Sequence, residues 1–289
     1  MSAINSITGR TLILCVIGHP IEHSMSPIMH NAAIKDLNLN YIYVSFNILP
    51  KNLRNAVKGF KALNIKGINV TLPFKQRIMK YLDEIDPLAQ KIGAVNTIKN
   101  EDGFLRAKNT DAIGAKRALI EAGYDFSNKK ILILGAGGAA RAISFTLAGD
   151  VNKIVIVNRT EKKALKLVSE LKKSYGLNFE GKNFSNKILE EEIKKADVLI
   201  NTTPIGMYPK INESPIPSEL LYENLMVFDV IYNPLETKLI KNAKEKGCKT
   251  LGGLDMLVNQ GVLAFEWWTN VQPNRGIMKN KVIEYLGLK

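Results

Sequence analysis

Residues 131–141 read Ile-Leu-Ile-Leu-Gly-Ala-Gly-Gly-Ala-Ala-Arg, and residues 154–160 read Ile-Val-Ile-Val-Asn-Arg-Thr. An apolar run ends in a glycine turn, a helix-forming stretch follows, and a second apolar run ends in a cationic turn. That is the strand–helix–strand order that holds a dinucleotide. Gly135 and Gly137 fit the first two glycines of G-x-G-x-x-G/A, with Ala140 in the third place. The first glycine permits a tight turn, the second a close backbone approach to the pyrophosphate, and the third small residue close packing of helix on strand. Gly135, Ala136, Gly137, Gly138 and Ala139 are therefore candidate cofactor contacts. A helix beginning near Gly138 would aim its unpaired N–H groups at phosphate. The competing reading is a tight turn with no ligand.

The end of the second strand chooses the cofactor. A site for NAD carries Asp or Glu about 20 residues past the glycines, accepting from the ribose hydroxyls. Here Asn158, Arg159 and Thr160 stand there, with Lys162 and Lys163 next. A carboxylate would repel a 2′-phosphate, whereas Arg159 can grip it bidentately and Lys163 can add a point charge. The expected cofactor is NADP. Lys162 serves equally well as part of a solvated helix turn.

Outward from this unit, strand and helix patterns alternate along most of the 289 residues. Strands are expected at 12–17, 41–46, 67–71, 197–201 and 226–230, and helices at 27–37, 51–62, 112–122 and 236–246. Asn100-Glu101-Asp102-Gly103 is a hairpin turn. A short helix is expected from Pro73, a polar loop at 176–186, and two helices at the C-terminus. The pattern predicts an α/β protein of two domains. Residues 1–111 would form a substrate domain on a mostly parallel sheet, completed by C-terminal helices in 258–289. Residues 112–257 would form a Rossmann-type, doubly wound NADP domain.

With 46% hydrophobic and 23% charged residues the chain suits a packed core. Its net charge of +13 raises nucleic acid as a partner. The lysines are dispersed, however, and no aromatic–basic interleaving occurs, so a small anionic substrate is expected instead of nucleic acid. Two cysteines, Cys15 and Cys248, form no CxxC and imply no disulfide framework. Met1–Ser6 shows no basic leader, and no run approaches the ~18 apolar residues of a membrane span. A cytoplasmic protein that does not engage membrane is expected, and a homodimer is left open.

Three polar clusters fall at expected strand ends of the first domain, where open α/β sheets place ligands. In the first, Ser24 and Ser26 offer hydroxyl donors at a helix N-terminus, a neutral site for a carboxylate, while Ser26 also suits an N-cap. His19, His23 and His30 lie here too, but not at a metal-ligand spacing, so no metal is expected and hydrogen-bonding histidines are. The second cluster contains Asn69, Thr71 and Lys75. A lysine in the first turn of a helix, facing the dipole and partly desolvated, can exchange protons near neutrality. The third contains Asn96, Asn109, Thr110 and Asp111. Asp111 suits an N-cap, and a carboxylate close to Lys75 would titrate with it as a pair.

Taken together, Ser24-Met25-Ser26-Pro27, Asn69-Val70-Thr71-Leu72-Pro73-Phe74-Lys75, Ala94-Val95-Asn96-Thr97, Asn109-Thr110-Asp111, Asn158-Arg159-Thr160, Asn201-Thr202-Thr203-Pro204, Asp229-Val230-Ile231-Tyr232 and the run from Gly253 to Gln260 resemble the shikimate dehydrogenase family. The resemblance spans nearly the whole chain. It implies reversible NADP-linked reduction of 3-dehydroshikimate to shikimate, on the route to chorismate and the aromatic amino acids. It places Ser24 and Ser26 on the substrate carboxylate, with Tyr232 near it, and Asn69, Thr71, Asn96, Asp111 and Gln260 on ring hydroxyls. Lys75 and Asp111 match the family's catalytic pair. Thr202, Val230, Gly253 and Met256 fall where the family lines the nicotinamide and ribose. Lys163 stands where the family often has a second arginine, so the sign of the phosphate clamp is kept. The alternatives are a quinate/shikimate dehydrogenase using NAD and a non-catalytic NADPH-binding regulator. The cationic turn at 158–160 argues against the first, and the presence of both Lys75 and Asp111 against the second.

Overall fold

A computed structural model describes residues 7–176 and 178–287. Met1–Ser6, at the head of the expected first domain, Leu177 of the expected polar loop, and residues 288–289 of the expected C-terminal helices lie outside the described residues. The chain divides into two compact units, one of residues 1–110 with 258–289 and one of residues 111–257.

The first unit carries a six-stranded sheet in the order β2-β1-β3-β5-β6-β4. β1 (Leu12–Gly18) pairs in parallel with β2 (Tyr41–Asn47) and with β3 (Gly67–Val70). β5 (Thr97–Glu101) runs antiparallel to β3 and to β6 (Phe104–Lys108), and the two-residue strand β4 (Glu84–Ile85) runs parallel to β6. The hairpin turns through Asp102 and Gly103, both at positive φ, the geometry a two-residue turn requires. Helices α1 (Ser26–Asp36), α2 (Leu53–Ala62) and α3 (Pro87–Ile92) belong to this unit. So do the body of α9 (Gly253–Thr269) and α10 (Arg275–Gly287). Ile17, Ile68, Val70, Phe74, Ile98 and Leu105 are central to its core.

The second unit is a fully parallel sheet in the order β12-β11-β10-β7-β8-β9. The strands are β7 (Lys130–Leu134), β8 (Lys153–Asn158), β9 (Phe179–Asn183), β10 (Val198–Asn201), β11 (Met226–Asp229) and β12 (Lys249–Leu251). With α5 (Gly138–Leu147), α6 (Glu161–Tyr175), α7 (Asn186–Ile193) and α8 (Lys238–Glu245) it is doubly wound. The order reverses between β7 and β10, the switch point at which such sheets bind ligands. Strands β7, β8 and β10 are almost wholly buried, which is why they read as continuous apolar runs.

Four local expectations are corrected. Ser26 is the first residue of α1 and not its N-cap; Met25 takes the cap position, and the Ser26 N–H donates to Ser24 Oγ at 3.3 Å. Residues 72–78 form consecutive turns before a 3₁₀ turn at Met79–Tyr81, so no α-helix follows Pro73 and none lends its dipole to Lys75. Helix α4 (Thr110–Glu121) begins two residues early, placing Asp111 inside its first turn instead of at the cap. The polar stretch expected as a loop contains the edge strand β9, whose Glu180 and Lys182 tolerate exposure at an edge.

Candidate functional site

In the second unit the glycine turn joins β7 to α5. Gly135 sits at φ +103°, and a side chain there would meet the Thr202 hydroxyl 2.6 Å away. Thr202 lies that close because its Oγ1 donates to the Leu134 carbonyl at 2.6 Å. Gly137 is different. A Cβ added to it would meet no protein atom within 4 Å, so packing within the protein does not account for this glycine. It leaves a cradle open before the N-terminus of α5, where no side chain caps the helix. Ala140 is fully buried, as close helix–strand packing requires. These features fit a pyrophosphate.

The end of β8 fits a 2′-phosphate. The Asn158 amide donates to the Thr160 carbonyl at 2.9 Å and holds the turn closed. Arg159, Thr160 and Lys163 are exposed, and the strand closes on Asn158 instead of on a carboxylate. At the ends of β10 and β11, Val230 N donates to the Asn201 carbonyl at 3.1 Å, and Gly253 N to the Ile231 carbonyl at 3.1 Å. A Cβ on Gly253 would stand 2.1 Å from the Val230 carbonyl oxygen, so only glycine lets α9 start there. Thr202, Val230, Gly253 and the buried Met256 thus gather beyond the carboxyl ends of the strands. Tyr232 follows β11, half-buried, and burial raises its phenol above the usual tyrosine range.

In the first unit β1 and β3 bring two of the polar clusters together. The Thr71 N–H donates to Ile17 O at 2.9 Å and His19 N–H to Leu72 O at 3.0 Å. Lys75 is half-buried, and its carbonyl accepts from Val95 N at 2.9 Å, which ties it to the third cluster. Asn69, Asn96 and Gln260 are buried in one network. Asn69 Nδ2 donates to the Asn96 carbonyl at 3.2 Å and to Thr97 Oγ1 at 3.3 Å. Asn96 Nδ2 reaches Gln260 Oε1 at 3.4 Å, and Asn96 Oδ1 accepts from Thr110 N at 2.6 Å. A carbonyl only accepts, so the Asn69 amide must turn its nitrogen to Asn96 and its oxygen to Tyr43. The Tyr43 hydroxyl therefore donates, at 2.6 Å. Asp111 is the residue after Thr110, half-buried in the first turn of α4.

Tyr43, Thr97 and Thr110 were given no role by sequence reasoning. Tyr43 is the buried residue of β2, and a tyrosine hydroxyl inside an expected strand was the available signal. His30 departs from the expected hydrogen-bonding histidine. It is fully buried, stacks on Tyr43 with ring centroids 4.4 Å apart, and finds no hydrogen-bond partner for either ring nitrogen among the described residues. Burial lowers its pKa to about 3, so the ring stays neutral. His19 does hydrogen-bond, through Nδ1 to Asn47 Oδ1 at 2.8 Å. Among the described residues no group of three or more His, Cys, Asp and Glu is placed to hold a metal, and no helix is long and apolar enough to cross a membrane.

A dinucleotide turn with a cationic 2′-phosphate position, and a separate unit lined with hydroxyls and amides, define an NADP-dependent oxidoreductase acting on a CH–OH group. Three family models match the chain: the shikimate dehydrogenase substrate binding domain over residues 16–98, shikimate / quinate 5-dehydrogenase over 116–231, and the shikimate 5'-dehydrogenase C-terminal domain over 253–283. The shikimate dehydrogenase (NADP(+)) of Methanocaldococcus jannaschii is 53% identical over 279 residues, covering 96% of this chain and 98% of the relative. A crystal structure of a shikimate dehydrogenase in complex with NADP+ superposes with a TM-score of 0.92 at 50% identity, covering 97% of this chain and 98% of the other. The shikimate 5-dehydrogenase of Listeria monocytogenes, solved with shikimate and NAD, gives 0.88 at 41% identity over 95% and 97%. The chain belongs to the shikimate dehydrogenase family.

Proposed function

We propose that this protein catalyses the reversible NADPH-dependent reduction of 3-dehydroshikimate to shikimate. Bound NADPH supplies the hydride for the C3 carbonyl carbon. The residues of the chain do the rest. Ser24 and Ser26 donate to the substrate carboxylate, and Tyr232 approaches the same group. Asn69, Thr71, Asn96 and Gln260 hold the ring hydroxyls. Lys75, as ammonium, donates a proton from Nζ to the carbonyl oxygen as negative charge develops there, and Asp111 orients the ammonium and the substrate. In the oxidative direction Lys75 accepts the proton. Arg159 and Lys163 select the 2′-phosphate, and Asn158 shapes their turn.

The observation that carries this reading is the single buried network joining Asn69, Asn96 and Gln260. It presents amides with fixed donor and acceptor ends, and hydrogen-bonding groups held in place discriminate strongly among polyhydroxylated rings. The assignment of the two units to substrate and to NADP is part of the same proposal, as are a cytoplasmic location and a homodimer. Initial rates with shikimate and quinate, each with NADP and NAD, test it. The highest kcat/KM is expected for shikimate with NADP, and a preference for quinate with NAD would overturn it.

A further inference from the structure

Among the buried ionisable groups that the catalytic scheme leaves unused is Asp229. Asp229 closes β11 and is fully buried. Its Oδ1 accepts from Asn201 Nδ2 at 3.0 Å and from the Ile231 N–H at 3.1 Å, and its Oδ2 accepts from the Thr237 hydroxyl at 2.7 Å. All three donors are neutral, and burial outweighs them, pushing the carboxyl up to about 6. A buried carboxylate without a cation costs stability, so its presence calls for a reason beyond packing.

The reason lies in what its partners hold. Asn201 closes β10, and its Oδ1 accepts from both the N–H and the hydroxyl of Thr203, at 3.0 and 2.7 Å. Thr237 caps α8 by accepting from Ile240 N at 3.3 Å. One carboxylate thereby pins the chain after β10, the chain after β11 and the start of α8. Thr202 lies between Asn201 and Thr203, and Val230 lies between Asp229 and Ile231, whose carbonyl receives the first N–H of α9.

We propose that Asp229 is a positioning residue: by holding Asn201, Ile231 and Thr237 together it sets Thr202 and Val230 against the nicotinamide half of the cofactor. The proposal rests on the reading of Thr202 and Val230 given above. An asparagine can preserve the arrangement, because its Oδ1 keeps two bonds and its Nδ2 can donate to the Thr237 hydroxyl. An alanine removes all three.

The test compares Asp229→Ala with Asp229→Asn, measuring kcat and the Kd of two ligands, NADP+ and adenosine 2′,5′-bisphosphate, which lacks the nicotinamide half. Asp229→Ala is expected to lower kcat on the order of 10²-fold, as a misplaced reacting group does. It should weaken NADP+ about tenfold, the equivalent of one lost hydrogen bond. The Kd of the bisphosphate should stay within about twofold, and Asp229→Asn should recover most of both losses. If Asp229→Ala does not fold, Thr237→Val, which removes the donor to Oδ2 together with the α8 cap and leaves both bonds to Oδ1, should show the same split in smaller measure. Equal weakening of both ligands would mean a general structural role and overturn the proposal, as would an alanine variant with unchanged kcat. Val230→Trp separates the two levels. If it lowers kcat while Asp229→Ala does not, only the positioning role falls; if it too leaves kcat unchanged, the nicotinamide placement falls with it.

Discussion

Lys75 shows how a residue can be found by its neighbours when its local physics is misjudged. The expectation of a helix after Pro73 placed it against a helix dipole, whereas it sits in a series of turns held by the Val95 N–H. Its candidacy rests on the cluster around it. Lys75→Ala is expected to lose on the order of 10²–10⁴ in kcat, with the Kd of NADP+ within about twofold of the parent. Single-turnover kinetics and titration calorimetry read the two effects separately. The proposed role of Arg159 came from the sequence, because a cation where NAD enzymes carry a carboxylate has an electrostatic meaning that needs no coordinates. Arg159→Ala should raise KM for NADP roughly tenfold, the value of one exposed charge-assisted contact, and leave KM for NAD unchanged. A parallel rise for both cofactors would remove Arg159 from the 2′-phosphate. Tyr43 and His30 were not legible in these terms. Their roles depend on a stack between a helix and an edge strand, and nothing in the local pattern of either segment encodes it.

At the scale of elements, periodicity located the strands buried on both faces and the edge strand β2, and missed the edge strands β4 and β9. β7, β8 and β10 are apolar because helices cover both faces of the sheet, whereas β9 is polar enough to read as a loop. β9 is held partly by charge. Glu192 of α7 is buried and receives Lys182 of β9 and Lys130 of β7, each at 2.7 Å. Burial by itself would raise this carboxyl; the two lysines outweigh it and lower the pKa from 4.5 to about 2. A carboxylate whose folded pKa is depressed stabilises the fold above its unfolded pKa, and that contribution is lost as pH falls from about 4.5 toward 2. Thermal unfolding followed at pH 7, 4.5 and 2.5 should show Glu192→Gln less stable than the parent at pH 7. The gap should narrow on acidification. A gap that is constant with pH would show that the loss is one of packing alone.

For the whole molecule the net charge of +13 is expected to act as a field on small anions. The substrate carboxylate and the cofactor phosphates are anionic, so kcat/KM for both should fall as sodium chloride is raised from 20 to 300 mM. kcat should change little, because screening acts on encounter between separated charges. An unchanged kcat/KM would mean that the lysines serve only solubility. The sequence by itself determined the α/β class, the dinucleotide turn, the preference for a 2′-phosphate and the polar segments proposed to carry the chemistry. Each depends on short-range rules: strand and helix periods, the steric demands of a glycine turn, the sign of a charge. Only the tertiary structure decided that Gln260 reaches Asn96 across 164 residues of chain, that the Asn96 carbonyl fixes which end of the Asn69 amide faces Tyr43, and that Asp229 ties β10, β11 and α8 together. Those are long-range hydrogen bonds. Their partners are chosen by strand order and helix packing, which no local window of sequence contains.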